Sequence, residues 1–152
     1  MVSLLASLAV MSFAQTAPTK VQDAFKAKFP TAKSVKWEQE NDSVWEAEFK
    51  VEGVEYSANF SNDGVWKETE HEIKSKDLPQ AVKNALATEF AGYEIEEVEM
   101  VESPDFTGYE VEIEKGEVTM EVLIDKSGNV IKKKVKKEEA EKDEKKDEEV
   151  EE

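Results

Sequence analysis

Two stretches of this chain repeat one spacing of apolar residues. Val21, Ala24, Phe25 and Phe29 stand at i, i+3, i+4 and i+8, and so do Val82, Ala85, Leu86 and Phe90. The spacing predicts one apolar stripe along a helix of two to three turns, made twice. Thr19 and Gln22 match a capping box at the first helix, a hydroxyl at the cap and an amide side chain three residues on. Pro79 suits the first turn of the second helix, where its missing N–H is not needed. Pro30 is expected to stop the first helix and Gly92 the second.

After each helix the apolar period changes to two. The first copy alternates through Val35 and Trp37, then Trp45, Ala47, Phe49 and Val51, then Val54, Tyr56, Ala58 and Phe60, with a fourth strand from Val65. The second runs through Val98 and Met100, then Tyr109, Val111 and Ile113, then Val118, Met120, Val122 and Ile124, and on from Val130. One apolar and one polar face predicts antiparallel strands packed on one side only. Turn chemistry sets the register. Glu52-Gly53 makes a two-residue hairpin pairing Val51 with Val54 and Trp45 with Phe60, and Gly116-Glu117, glycine first, suits a II′ turn pairing Ile113 with Met120. Asn62-Asp63-Gly64 and Lys126-Ser127-Gly128 place a left-handed glycine between the third and fourth strands, putting Phe60 opposite Trp66 and Ile124 opposite Val130.

Each copy is thus an α-β-β-β-β unit. A lone unit of about 60 residues buries only about 60% of its extended-chain surface and is marginal. Joining two edge to edge hides two strand edges. The predicted fold is α+β: tandem α-β-β-β-β repeats forming an antiparallel sheet of about eight strands, or two four-stranded sheets in contact, with both helices on one face over a shared core. Strict alternation past Trp66 turns Glu68 and Glu70 inward, a conflict that a bulge or strand ends running beyond the helix relieves. Within that register His71 faces outward across from Glu55. The expected segments are a leader over residues 1–14, repeats over 15–76 and 77–135, and a charged disordered tail over 136–152.

The leader rests on Leu4–Ala14, apolar for about ten residues and shorter than the roughly 20 that span a bilayer. Small residues Ser12 and Ala14 permit cleavage before Gln15. No lysine or arginine precedes the run, so either the start lies upstream or the leader is weak; a buried N-terminal helix is the other reading. The tail is nearly all charge and has almost nothing to bury.

Charge excludes more than it identifies. Thirty-six acids against 20 lysines give a net charge of −16. The absence of arginine removes the bidentate fork used on phosphates, and nucleic acid is not an expected partner. With no cysteine, disulfides and thiolate chemistry are out. A nucleophile needs a base and an orienting partner. His71 is the lone histidine, the carboxylates alternate along strands as on a solvated face, and no glycine-rich phosphate loop occurs. No catalytic residue and no cofactor are assigned.

Three candidate sites remain. Asn59, Ser61, Asp63 and Glu70 partly imitate a calcium loop, with oxygens at the first, third, fifth and twelfth positions and Gly64 at the sixth; a plain hairpin turn is the favoured reading. Ser43, in Asn41-Asp42-Ser43-Val44, is a candidate modification site. The open face should be acidic through Glu46, Glu48, Glu110, Glu112 and Glu121. On it the register pairs Leu123 with Ile131, an apolar pair with Val101 nearby, and so a candidate partner contact. Isolated exposed apolar residues and a cover formed by the acidic tail are the alternatives.

Val21–Glu38, with its helix, Phe-Pro, alanine and tryptophan in order, and Leu78–Leu86 resemble the PepSY-like family of exported bacterial proteins of the Bacteroidetes type. The resemblance spans about residues 19–135 and is weaker in the second copy, where Ala91 and Val98 replace Pro30 and Trp37. It implies a fold similar to the β-lactamase inhibitor protein and a periplasmic or secreted, non-enzymatic protein without membrane insertion after cleavage. Peptidase inhibition has been suggested for the wider group, but fold does not carry function and no inhibitory residue transfers. The expected function is an exported binding module for a protein or peptide of the cell envelope; the alternative is an acidic cation-binding or solvating envelope protein. Intact mass of protein from its native host is expected to begin at Gln15. Retention of Met1 contradicts the leader, and an unmodified mass removes Ser43 as a modification site.

Overall fold

A computed structural model describes residues 16–136; the leader over 1–14 and all of the expected tail except Lys136 lie outside the described residues. The elements are α1 (Thr19–Lys28), β1 (Lys33–Asn41), β2 (Val44–Val51), β3 (Val54–Ser61) and β4 (Trp66–Glu72), then α2 (Gln80–Glu89), β5 (Glu94–Glu102), β6 (Thr107–Lys115), β7 (Val118–Asp125) and β8 (Val130–Lys136). All eight strands form one antiparallel sheet in the order β1 to β8. β8 runs one residue past the expected end of the second repeat.

The hairpin registers follow the turns. Val51 pairs with Val54 across Glu52 and Gly53, whose φ values of 52° and 90° suit a I′ turn, and Lys115 pairs with Val118 across Gly116, at φ 63°. Phe60 faces Trp66 and Ile124 faces Val130. Both helices cover the same sheet face, because the register carries one row of side chains across the junction. Ala58 pairs with Thr69, and two residues on His71 pairs with Met100, which pairs with Tyr109.

The expected shared core is two cores. α1 buries Val21 and Phe25 against Trp45, Ala47, Phe49, Ala58 and Phe60, while α2 buries Val82 and Leu86 against Val98, Val111, Ile113, Val122 and Ile124. Each helix is only ten residues long and reaches its own half of the sheet. The first core is aromatic: Phe25 meets Trp37 at 5.3 Å, Phe49 at 4.9 Å and Phe60 at 6.1 Å between ring centroids. The indole N–H of Trp45 donates to Asn62 and that of Trp66 to Thr69, so neither is buried unpaired. Val35, expected beside Trp37 in the core, is 37% exposed, because a register shift between Lys33 and Lys36, with Ser34 at φ 56°, displaces it.

Helix ends also depart from expectation. No capping box forms: Thr19 is already helical, Pro18 holds the cap position, and the Gln22 amide donates to the Ala17 carbonyl at 2.7 Å. Pro79 likewise sits at the cap, one residue before the helix.

Bulges decide β4 and β8. Phe60 pairs with Trp66 but Asn59 with Glu68, leaving Lys67 as the extra residue; Ile124 pairs with Val130 but Leu123 with Lys132, leaving Ile131 extra. The first bulge turns Glu68 and Glu70 to the open face and brings His71 to the helix side. There its ring lies 4.6 Å from Tyr56, and burial lowers its pKa. The outward placement of His71 is therefore corrected.

Gly64 and Gly128 serve two ends. Both have positive φ, and a Cβ would lie 2.8 Å from the Lys20 carbonyl oxygen and 2.6 Å from that of Ala81, respectively. The turn thus presses each fourth strand against the first turn of its helix. Gly53 shares the φ but meets nothing within 4 Å. Gly53→Ala is expected to lose about 1–2 kcal/mol from left-handed strain alone, and Gly128→Ala distinctly more, by urea unfolding. Equal losses contradict the close approach.

Candidate functional site

Alternation places Glu46 and Glu48 of β2 and Ser57 and Asn59 of β3 on the face away from the helices. The β4 bulge adds Glu68 and Glu70, and the β5 to β7 registers add Glu99, Val101, Glu110, Glu112, Glu121 and Leu123. Lys132, Lys134 and Lys136 follow on β8. A trough of about 580 Å³ on this face is lined from every strand, from Glu40 on β1 to Lys134 on β8, so the sheet curves around it. Part of its floor is apolar. A Cβ on Gly108 would collide with the Phe106 ring, so the loop after β5 lays Phe106 over a strand glycine, in the trough with Val101 and Leu123.

The carboxylates crowd one another. Glu70 is pushed up to about 8, first by burial and then by Glu68, Glu99, Glu110 and Glu46. Glu46 rises to about 7 through burial, Glu40 and Glu48, and Glu99 to about 7 through burial, Glu97, Glu110 and Glu72. Glu110 is raised by burial, Glu121 and Glu68. At the β8 end the balance reverses. Burial would raise Glu121, but hydrogen bonds from Lys136 and Lys134 hold it below its ordinary value, and Lys136 is raised by Glu112 and Glu121 in return. Asn59 Oδ1 lies buried in the trough and accepts no hydrogen bond.

The sequence-predicted sites separate on this frame. Leu123 and Val101 share the trough, but Leu123 pairs with Lys132, and Ile131 is the bulge residue, 55% exposed and outside the trough lining. The Leu123–Ile131 pair is corrected, because the one-residue insertion slips β8 against β7. Val101 is 3% exposed and is floor rather than exposed contact.

The calcium-loop residues are not brought together. Asp63 sits in the turn 3.2 Å from Lys20, and Ser61 Oγ accepts from the Val65 N–H, while Asn59 and Glu70 look into the trough. Among the described residues no three His, Asp or Glu side chains converge as a metal site. Ser43 is exposed in the β1–β2 turn, its hydroxyl donating to Asn41 Oδ1 at 2.8 Å. The sequence reading missed Phe106 and the grouping of Glu70 with Glu99; Gly108 inside an apolar strand was the available signal for the first. Among the described residues no helix is long and apolar enough to cross a membrane.

A family model described as "Putative beta-lactamase-inhibitor-like, PepSY-like" matches residues 43–132. Solved structures share the fold. A BLIP-like protein from Bacteroides fragilis superposes with TM-score 0.73 at 25% identity, covering 84% of this chain and 92% of that one. A DUF2874 family protein from Bacteroides uniformis gives 0.72 at 26% identity, covering 79% and 90%. A structure from Bacteroides eggerthii described among "putative periplasmic proteins" gives 0.71 at 25% identity, covering 80% and 90%. No curated protein matches the chain.

The crowded carboxylates make stability run against the usual direction for acidic groups. Glu46, Glu70 and Glu99 titrate near 7 to 8 in the fold, against 4.5 for an ordinary glutamate. Between those values the folded state binds more protons than the unfolded chain, so stability falls as pH rises through the window. His71, with its pKa lowered, acts oppositely on its acid side, as one group against several. The unfolding midpoint is expected to be higher at about pH 5.5 than at about pH 8.5, with Glu70→Gln flattening the difference. A midpoint that climbs with pH across this window contradicts the carboxylate cluster.

Proposed function

The chain belongs to the PepSY-like, β-lactamase-inhibitor-like family whose model it matches, and from that premise we propose that it is an exported, non-enzymatic binding module. Its open sheet face receives a protein or peptide partner in the periplasm or outside the cell. The observation that carries this reading is the trough itself. Half-buried carboxylates that repel one another weaken a fold, yet eight strands hold several of them around one concavity with an apolar floor. An arrangement that opposes stability is what a surface kept for recognition looks like. The other face is covered by both helices, which leaves this one for a partner.

Export is supported by the description of the Bacteroides eggerthii structure as periplasmic and by the apolar leader in the sequence. The family's inhibitor-like description directs the search for partners toward enzymes of the envelope. Perturbed carboxylates also occur in active sites, but the ring of the one histidine turns to the helix side against Tyr56 and does not line the trough.

A photo-crosslinking residue at position 123, placed in the native host, is expected to give a discrete adduct. The same residue at Thr88, exposed on α2, is expected to give none. Equal labelling from both positions, or from Thr88 alone, defeats the assignment of the open face. Leu123→Asp is expected to remove the adduct formed by a neighbouring probe at Phe106.

A further inference from the structure

The two repeats share their turns and bulges but carry opposite charge on their fourth strands. With Gly64 and Gly128 aligned, Glu68, Glu70 and Glu72 of β4 stand where Lys132, Lys134 and Lys136 stand on β8. In the second repeat these lysines neutralise the acids of neighbouring strands: Lys134 lies 3.2 Å and Lys136 2.8 Å from Glu121. In the first repeat the matching positions add three more carboxylates to the same kind of surface.

We propose that the trough takes a lysine- or arginine-bearing polypeptide segment, whose cationic side chains occupy beside Glu46, Glu70 and Glu110 the role that the β8 lysines fill in the second repeat. The inference rests on the open-face reading above and names the chemistry of its partner. Charge complementarity argues for it directly. The protein carries a net charge of −16, which draws cationic partners and repels anionic ones. Asn59 Oδ1, an unpaired acceptor in the trough, suits a ligand rich in N–H donors. Phe106 and Leu123 offer an apolar side chain of the segment a place between the charges.

A single divalent cation fits poorly. It needs oxygens converging at about 2.3–2.6 Å, whereas these three carboxylates stand on β2, β4 and β6, no two of them adjacent, and among the described residues no three His, Asp or Glu side chains converge as a metal site. A chain that presents charges in series meets them one after another. The lysines of β8 repel the charges of such a segment from that end and hold them over β2 through β6, with Leu123 of β7 at the margin. The protein's own tail is a poor occupant, because residues 137–152 carry ten acids against four lysines.

Hexalysine titrated into the full-length, isotope-labelled protein tests this. Saturable shifts are expected at Glu46, Glu70 and Glu110 in the nuclear magnetic resonance spectrum. Glu70→Lys, which copies Lys134, is expected to weaken binding about tenfold or more while raising the melting temperature. Glu117→Lys makes the same charge change in an exposed turn and is expected to stay within about twofold of the unaltered protein. Glu110→Gln, a milder change, gives an intermediate loss and reports on the trough should Glu70→Lys not fold. Shifts confined to residues 137–152, equal losses for Glu70→Lys and Glu117→Lys, or tighter saturation of the same groups by calcium chloride each overturn the inference. An adduct from position 123 with a partner surface that lacks lysine and arginine overturns it too, but leaves the open-face binding reading intact. Absence of any adduct, with hexalysine still bound in the trough, defeats that broader reading alone.

Discussion

The splice between β4 and β5 is the constraint on which the molecule depends. A single helix on four strands leaves too much surface exposed to be firmly stable, and the chain answers by pairing Thr69–Glu72 with Glu99–Glu102. The contact is shorter than the β5–β6 hairpin, because β4 ends at Glu72. The short splice still aligns both helix-bearing faces, buries Thr69 at the seam and lets His71 pack between Tyr56 and Met100. It also brings the glutamates of β4 beside those of β5 and β6. The trough and its electrostatics are thus consequences of the joint that makes the fold possible.

Duplication preserved geometry and let chemistry diverge. Each helix has a proline at its N-cap and a phenylalanine at its C-cap, and each long turn ends in a glycine pressed on its helix. Within that frame the first core is richer in rings and the second in aliphatic side chains. Leu86 stands where Phe25 does, and Val122 and Ile124 where Ala58 and Phe60 do. The backbone contacts of Gly64 and Gly128 do not depend on which side chains fill the space beneath, so the cores could change without moving the strands. The open face had the same freedom, and there the substitution was of charge.

Legibility in the sequence followed the physics of each signal. Hairpin registers were readable because Glu52-Gly53 and Gly116 impose a turn geometry, and a two-residue turn leaves one pairing. Helices were readable from their stripes, but their caps were not: Thr19 has the chemistry of a cap, while Pro18 and Pro79 start the helices one position earlier than or without the expected hydroxyl. The bulges left only an indirect trace. Alternation that drives Glu68 and Glu70 into a core signals a slip of one residue, yet nothing in Trp66-Lys67-Glu68 says whether the backbone slips or the strand outruns its helix. Because a slip inverts everything beyond it, one extra residue in β4 misplaces His71 and one in β8 misplaces Ile131. The trough floor was less legible still, since Phe106 reaches it through a loop fold that no periodicity describes.

The comparison of β4 with β8 separates what the fold needs from what the face does. If carboxylates at Glu68, Glu70 and Glu72 were required to build the fourth strand, the second repeat could not build the same strand from lysines. It does so, with the same bulge and pairing pattern. Ion pairs near a protein surface contribute modestly, so the lysines of β8 are no prerequisite for the strand either. What differs is the environment each set meets. Lysines on β8 face acids and hold Glu121 ionised, whereas glutamates on β4 face acids and drive Glu70 toward its protonated form. The charge of the first repeat's face is therefore separable from its architecture, and in the proposed complex a cationic partner supplies the balance that the sheet itself lacks.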